Sequence, residues 1–118
     1  MRHRVSGRKF GLPSDQRRAL LKGLLRALIK HGEIQTTETR AKDVRKIAEK
    51  VITTARANTL HARRLTRAWL NDEDMVKLLF DVVVPKVAGK PGGYTRITKI
   101  GFRRGDAAPM VKLEISGD

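Results

Sequence analysis

The sequence predicts an α+β fold in two layers, in which helices pack on a small mixed sheet after a basic extended N-terminal arm. Apolar residues recur at helical spacing in four segments before residue 86, and they alternate in two segments after residue 94. The 118 residues suffice for one domain with a core, and no repeat or linker divides them. We therefore expect helix, strand, three helices and two strands, with an arm at residues 1–13 and a single domain at residues 14–118.

The predicted arm is basic and poor in apolar residues. No acidic residue precedes Asp15, and the basic residues of the arm are Arg2, His3, Arg4, Arg8 and Lys9. Such a segment buries too little apolar surface to offset the entropy lost when it is ordered. We expect it to become ordered on a polyanion.

The first helix is predicted from Ser14 to His31. Ser14 suits an N-cap and Gly32 suits the left-handed residue that ends a helix. The apolar stripe of this helix consists of Leu20, Leu21, Leu24, Leu25 and Leu28. The threonine-rich, alternating segment Glu33–Thr37 then predicts a short strand.

Two further helices follow. Thr39 is expected to cap the second helix, which ends near Arg56 and has an apolar face made of Ala41, Val44, Ile47, Ala48, Val51, Ile52 and Ala55. The third helix covers "LHARRLTRAWL", with three arginines facing outward. Its candidate core residues are Leu60, Leu65, Ala68 and Trp69.

A fourth helix and two strands complete the fold. Asn71 or Asp72 is the expected N-cap of the helix, and Pro85 is expected to stop it. Residues 94–102 and 109–116 then read as an antiparallel hairpin, with one face formed by Val111, Leu113 and Ile115. In the first of these strands the apolar residues Ile97 and Ile100 do not alternate regularly, which indicates either a bulge near Gly101 or burial on both faces.

The charge of the chain is large and unevenly distributed. The net charge is +14, from 26 Lys and Arg against 12 Asp and Glu. Residues 1–67 hold 18 of these cations and 5 acids, whereas residues 68–118 hold 8 and 7. The cations of so basic a domain repel one another, and a polyanionic partner would offset this repulsion. Nucleic acid is the polyanion that we expect first. The nearly neutral second part is expected to build the core or to contact a protein.

Several function classes are disfavoured. The absence of cysteine excludes disulfides and thiolate zinc sites, and His3, His31 and His61 are too far apart in sequence to predict a metal site. No catalytic constellation and no cofactor motif is recognisable, so we predict a non-enzyme. The apolar runs are too short for a membrane span, which predicts a soluble intracellular protein, and no homo-oligomer is expected.

Candidate RNA contacts lie on the arm and on the outer faces of the helices. Four cations, Arg18, Lys22, Arg26 and Lys30, recur at every fourth residue, an arrangement that costs a few tenths of a kcal/mol per pair on an isolated helix and suits phosphates. Further candidates are Arg17, Lys42, Arg45, Lys46, Arg63 and Arg64. For the second helix, a merely solvated face remains an alternative.

The aromatic residues lack the pattern of an RNA-recognition sheet, so backbone charge and shape are the expected basis of binding. Tyr94 follows a glycine pair and could either stack on an unpaired base or pack in the core. A free-standing nucleic-acid-binding regulator is the alternative function. It would need a recognition helix and a dimer face, and neither is evident.

The segments "MRH", "GRK", "LLKGLLRALIKHGEIQTT", "AKDVRKIAEKVIT", "LHARRL", "GGYTRI" and "RRGDAAPM" occur in this order over essentially the whole chain. Together they resemble the bacterial large-subunit ribosomal protein seventeen family. The resemblance implies helices on a small sheet, and a structural constituent of the large subunit that supports assembly and translation. It also implies ribosomal RNA near the peptide exit side and large-subunit protein thirty-two as partners, in the cytoplasm or in an organelle ribosome.

The matching motifs carry the family's site residues onto this chain. They fall on Arg2, His3, Gly7, Arg8, Lys9, Tyr94, Thr95, Arg96, Arg103, Arg104 and Gly105. Arg96, Arg103 and Arg104 thereby join the candidate RNA contacts. The segment "MVKLLFDVVVPKVAGK" departs from the family's more polar pattern.

Overall fold

The computed structural model describes residues 14–116. Its elements are α1 (Ser14–His31), β1 (Glu33–Thr37), α2 (Glu38–Arg56), α3 (Leu60–Leu70), α4 (Glu73–Leu78), a π-helical segment (Leu79–Val83), α5 (Val84–Lys86), β2 (Thr95–Phe102) and β3 (Pro109–Ile115). The α+β class and the order of elements are confirmed. The arm expected at residues 1–13 lies outside the described residues.

The three strands form a sheet in the order β1-β3-β2. Both pairs are antiparallel, with Leu113 opposite Ile34 on one side and opposite Ile97 on the other. The described sheet is therefore antiparallel throughout, where a mixed sheet was expected, because the last strand lies in the centre and both neighbours run against it. A register shift between Lys99 and Gly101 confirms the bulge.

One core joins the helices to the inner face of the sheet. The expected faces of α2 and β3 are buried, apart from the half-buried Ile47. The members least accessible to solvent include Leu25, Leu28, Val44, Val51, Leu79, Val111 and Leu113. Burial of this apolar face, rather than helix propensity, is what stabilises α2.

Two helix boundaries differ from expectation for local reasons. Helix α2 begins at Glu38 with the extended Thr37 as its N-cap, so the cap predicted at Thr39 is wrong. The fourth helical region runs through Pro85 to Lys86. In the π-helical segment the Val84 N–H donates to the Leu79 carbonyl, and this shift in pairing places the proline in the first turn of a new α segment, where no N–H is needed.

Helix α3 packs with a different face from the one predicted. Ala62, Thr66 and Leu70 are buried, at intervals of four residues, and the Thr66 hydroxyl is satisfied by the Ala62 carbonyl at 3.0 Å. The predicted core residues Leu60, Leu65, Ala68 and Trp69 are exposed instead. Two of the three buried residues, Ala62 and Thr66, are small and suit close packing of α3, whereas Leu60, Leu65 and Trp69 are left at the surface.

Candidate nucleic-acid interface

The basic residues of α1 border a cleft at the junction of α3 and α4. Asp15, Ala19 and Asn71 line this cleft of about 370 Å³ together with Arg18, Lys22 and Arg26. We call it the α1–α3 cleft. The helical spacing of four residues brings the three cations to one side of α1, so the ridge expected from the sequence becomes one wall of a concave surface.

Two of these cations also hold the fold together. Lys22 Nζ donates to the Ala68 carbonyl at 3.2 Å, and Arg26 Nη1 donates to the Leu70 carbonyl at 3.0 Å. Both acceptors are among the last carbonyls of α3, which have no partner within the helix and carry the negative end of its dipole. Part of the ridge therefore serves as a C-terminal cap for α3, a role that the sequence did not reveal.

A second cleft lies between the start of α2 and the end of the β2–β3 hairpin. It measures about 410 Å³ and is lined by Thr37, Glu38, Thr39, Arg40, Lys42, Arg103, Ala108 and Pro109. We call it the α2–hairpin cleft. Lys42 Nζ is 3.1 Å from Glu38 Oε1, a partly exposed pair one helical turn apart. The fold thus brings Lys42 and Arg103 together from distant parts of the sequence.

The hairpin loop is closed by an ion pair with two hydrogen bonds. Arg103 Nε donates to Asp106 Oδ1 at 3.1 Å, and Nη2 donates to Oδ2 at 2.5 Å. The guanidinium, together with the Ala108 N–H, holds the pKa of Asp106 at about 2. The same carboxylate raises the pKa of Arg103. Arg103 is therefore already engaged within the chain.

Other predicted cations have structural partners as well. Arg96 Nη2 lies 2.8 Å from Glu114 Oε1 on the neighbouring strand, and this hydrogen-bonded pairing lowers the pKa of Glu114. The Arg63 guanidinium lies over the Phe80 ring, with 4.4 Å to the ring centroid. Arg63 and Arg96 are both exposed in spite of these contacts, so they remain accessible to an external anion. A surface ion pair such as that of Arg96 contributes little to stability.

A third group of predicted cations has no ion-pair partner within residues 14–116. Its members lie on α1, α2, α3 and the hairpin and, apart from the half-buried Arg17, are exposed; they are Arg17, Arg18, Arg45, Lys46, Arg64 and Arg104. These are the cations that the fold leaves for an external anion. The candidates Arg2, His3, Arg4, Arg8 and Lys9 lie outside the described residues.

Tyr94 packs, and this settles the alternative that the sequence left open. Its side chain is 2% exposed, so the ring is not available for stacking on a base. The Arg56 Nη1 donates to its hydroxyl at 2.8 Å and the Thr53 hydroxyl lies 3.5 Å away. Both hydrogen bonds lower the pKa of Tyr94, and the one from Thr53 has the larger effect.

The same region is fastened to α2 by a carboxylate. Glu49 accepts hydrogen bonds from the N–H groups of Tyr94 and Thr95, at 3.3 and 3.2 Å, and from the Thr95 hydroxyl at 2.9 Å. Arg56 also donates to the Lys90 carbonyl at 2.6 Å. The "GGYT" segment is therefore a structural junction between α2 and the sheet, and neither Glu49 nor Arg56 was singled out from the sequence.

Residues 14–116 offer no metal site and no membrane-spanning helix. They contain no cluster of His, Asp or Glu able to hold a metal ion. None of their helices is long and apolar enough to cross a membrane. What the described surface offers is a small basic α+β domain with two cation-lined clefts.

Comparisons with known proteins assign this domain to a family. Residues 20–116 match the family model described as ribosomal protein L17. A large ribosomal subunit protein bL17 of Clostridium perfringens is 54% identical over 108 residues, covering 92% of this chain and 96% of that protein. The same protein of Clostridium beijerinckii is 56% identical, and that of Thermoanaerobacter sp. is 55% identical, both over the same shares of the two chains.

The chain therefore belongs to the ribosomal protein L17 family. This confirms the resemblance that the sequence motifs indicated. Members of this family are structural components, so the prediction that the chain is not an enzyme is confirmed as well.

Proposed function

We propose that this protein is a constituent of the cytoplasmic large ribosomal subunit that binds ribosomal RNA through its basic N-terminal arm and its basic helix faces, and that it supports subunit assembly and translation. One observation carries the proposal. In a member of a ribosomal protein family, the cations on α1, α2, α3 and the hairpin that have no ion-pair partner within residues 14–116 are available to phosphates.

Charge and geometry support this function together. Most of the net charge lies in residues 1–67, which comprise the arm, α1, β1, α2 and the start of α3. The α1–α3 cleft and the α2–hairpin cleft both have cationic walls, so a phosphate backbone can approach the domain along concave basic surfaces. Phosphate contacts of this kind orient a protein on RNA without reading its sequence.

The direct test is co-sedimentation of the tagged protein with ribosomal particles on sucrose gradients, repeated as the salt concentration is raised. We expect stoichiometric migration with large subunits that persists at high salt. Migration at the top of the gradient, or a loss of about 10³-fold in affinity between about 50 and 200 mM salt, would favour a free-standing nucleic-acid-binding regulator instead.

The arm has its own test. Deletion of residues 2–9 should leave the melting temperature of the domain nearly unchanged, because Val5 is the one large apolar residue that it removes, and should weaken binding to ribosomal RNA. A scrambled arm of equal charge is the matched control and should bind more tightly than the deletion. Collapse of the fold on deletion would contradict the role of residues 1–13 as an arm.

We further propose that neighbouring large-subunit proteins contact this chain, with protein thirty-two as the neighbour that the resemblance implies. Support comes from α3, where the large apolar residues Leu60, Leu65 and Trp69 are exposed. An Arg64→Gln variant is the control for Trp69→Ala in a binding assay with purified protein thirty-two. Equal binding by wild type and Trp69→Ala would reject α3 as the contact surface.

A further inference from the structure

We propose that Phe102, at the exposed end of β2, is a stacking platform for an unpaired RNA base, and that Lys99 and Arg104 contact the phosphates on either side of that base. This inference rests on the proposed binding of ribosomal RNA and adds a contact that phosphate neutralisation alone does not provide. The sequence excluded stacking along a sheet with several aromatic residues, whereas this is a single ring at the tip of a hairpin.

The exposure of Phe102 is the first observation. Its side chain is 77% exposed, more than any other large apolar residue of residues 14–116. It pairs with Pro109 across the hairpin, at the end of the sheet that lies beyond the bulge. An aromatic face that is open to solvent at this place can stack on any base, because every base has a π-face.

The rigidity of its support is the second observation. Beyond Phe102, the Arg103 N–H donates to the Ala108 carbonyl at 2.8 Å, and the Ala107 N–H donates to the Arg103 carbonyl at 2.9 Å. The ion pair between Arg103 and Asp106 closes the same loop. Because these hydrogen bonds join residues of the loop to one another, the loop needs no ligand contact to form them, which lowers the conformational entropy cost of stacking on Phe102.

The charge around the ring is the third observation, and it selects RNA over an apolar protein surface. Lys99 and Arg104 are exposed, and neither has an ion-pair partner in the described part of the chain. The one acid of the loop, Asp106, is already occupied by Arg103. An aromatic ring with an available cation three residues before it and another two residues after it is complementary to a base between two phosphates, whereas an apolar protein partner would leave both cations without a counter-charge.

The test measures binding of the full chain to a large-subunit ribosomal RNA transcript over a range of salt concentrations. Phe102→Leu keeps an apolar side chain but removes the ring, and should weaken binding about tenfold without changing the salt dependence, because stacking is not ionic. Phe102→Tyr should bind as the wild type does. Arg104→Gln should lower the slope of log K against log salt by about one unit.

Ile100→Val is the matched control, since this residue is also exposed and lies on the same strand. Dimethyl sulfate probing gives a second readout: wild type and Phe102→Tyr should protect a base that becomes reactive with Phe102→Leu. Thermal melting checks that each variant is folded, as expected for changes at exposed positions.

Wild-type affinity in Phe102→Leu would overturn the inference, and so would an equal loss in Ile100→Val. Unchanged binding of Phe102→Leu to the transcript, combined with reduced retention in assembled subunits, would assign Phe102 to a protein neighbour and would also overturn it. Absence of salt-dependent RNA binding by the wild-type chain is a separate result, since it would refute the proposed function itself.

Discussion

An aromatic ring accompanied by arginine stands at each end of strand β2, at Tyr94 just before its first residue and at Phe102, its last residue, and the fold uses the two rings in opposite ways. At the first end, Tyr94 is buried under α2, and Arg56 lies 5.6 Å from the centroid of its ring. At the other end, Phe102 is exposed and is followed by Arg103 and Arg104. The two ends differ in what packs over them. Helix α2 covers the first end, whereas the α2–hairpin cleft separates the start of α2 from the second end, so position in the tertiary structure decides what each residue does.

The largest loss of stability is expected when a charge is introduced on the face of α2 that covers the first end of β2. Val51 is 1% exposed, so Val51→Asp buries a carboxylate without a partner and should cost about 4 kcal/mol or more, enough to unfold a domain of ordinary stability. The neighbouring Lys50 is exposed, and Lys50→Asp is the control with an effect of about 0.5 kcal/mol. Urea unfolding measures both. A normal transition for Val51→Asp would mean that this face of α2 is not the core face.

The comparison is sharpened by making one substitution at both ends. Tyr94→Leu removes a buried ring and its hydroxyl, and should lower the free energy of unfolding by about 3 kcal/mol. Phe102→Leu should change it by less than about 0.5 kcal/mol. Chemical denaturation of the two variants gives the values, and equal losses would show that the two ends are covered alike.

A smaller effect is expected at the carboxylate that joins α2 to the first end. Glu49→Gln keeps the size of the side chain but weakens the hydrogen bonds to Tyr94 and Thr95, and should cost about 1–2 kcal/mol. Glu38→Gln is the control, because its ion pair with Lys42 is partly exposed and lies within one turn of α2, and should cost less than about 1 kcal/mol. If Glu38→Gln lowers the free energy of unfolding as much as Glu49→Gln does, Glu49 has no special role in joining α2 to the sheet.

The smallest effect is expected at low pH, and only at the exposed end of β2. The pKa of Asp106 is about 2 in the folded chain, below the ordinary value of 3.8. The contribution of its ion pair is therefore fully present above about pH 4 and is lost as the pH falls through about 2. Carboxyl chemical shifts in NMR titrations should give this pKa for Asp106, and Arg103→Gln should raise it. A titration of Asp106 near 3.8 in the wild type would show that the loop is not closed by this pair.

Much of the local structure could be predicted because its causes are local. The bounds of α1, β1 and α3 agree with the sequence-based expectation, since apolar spacing, a left-handed glycine and threonine content act within a few residues. Asp72, one of two predicted N-caps, accepts hydrogen bonds from the N–H groups of Asp74 and Met75. The break in the apolar alternation left two explanations open, a bulge near Gly101 or burial on both faces, and the structure shows the bulge.

The candidate site was predictable only in part. Sequence spacing located the cations on α1, but their hydrogen bonds to the Ala68 and Leu70 carbonyls depend on where α3 ends in space. The family motifs pointed to Tyr94 and to Arg103 with equal weight, although one is buried and the other is exposed. No short-range pattern distinguishes these cases, because burial depends on residues far away in the chain.

By itself, the sequence determined the charge, the class of fold and most of the helical and strand segments, because these follow from composition and from short-range periodicity. Only the tertiary structure decided which face of α3 is buried, how the chain continues through Pro85, and which end of β2 is covered. The physical reason is that burial is a property of packed elements. The small residues Ala62 and Thr66 suit close packing better than the larger Leu65 and Trp69, and α2 covers Tyr94 but leaves Phe102 exposed.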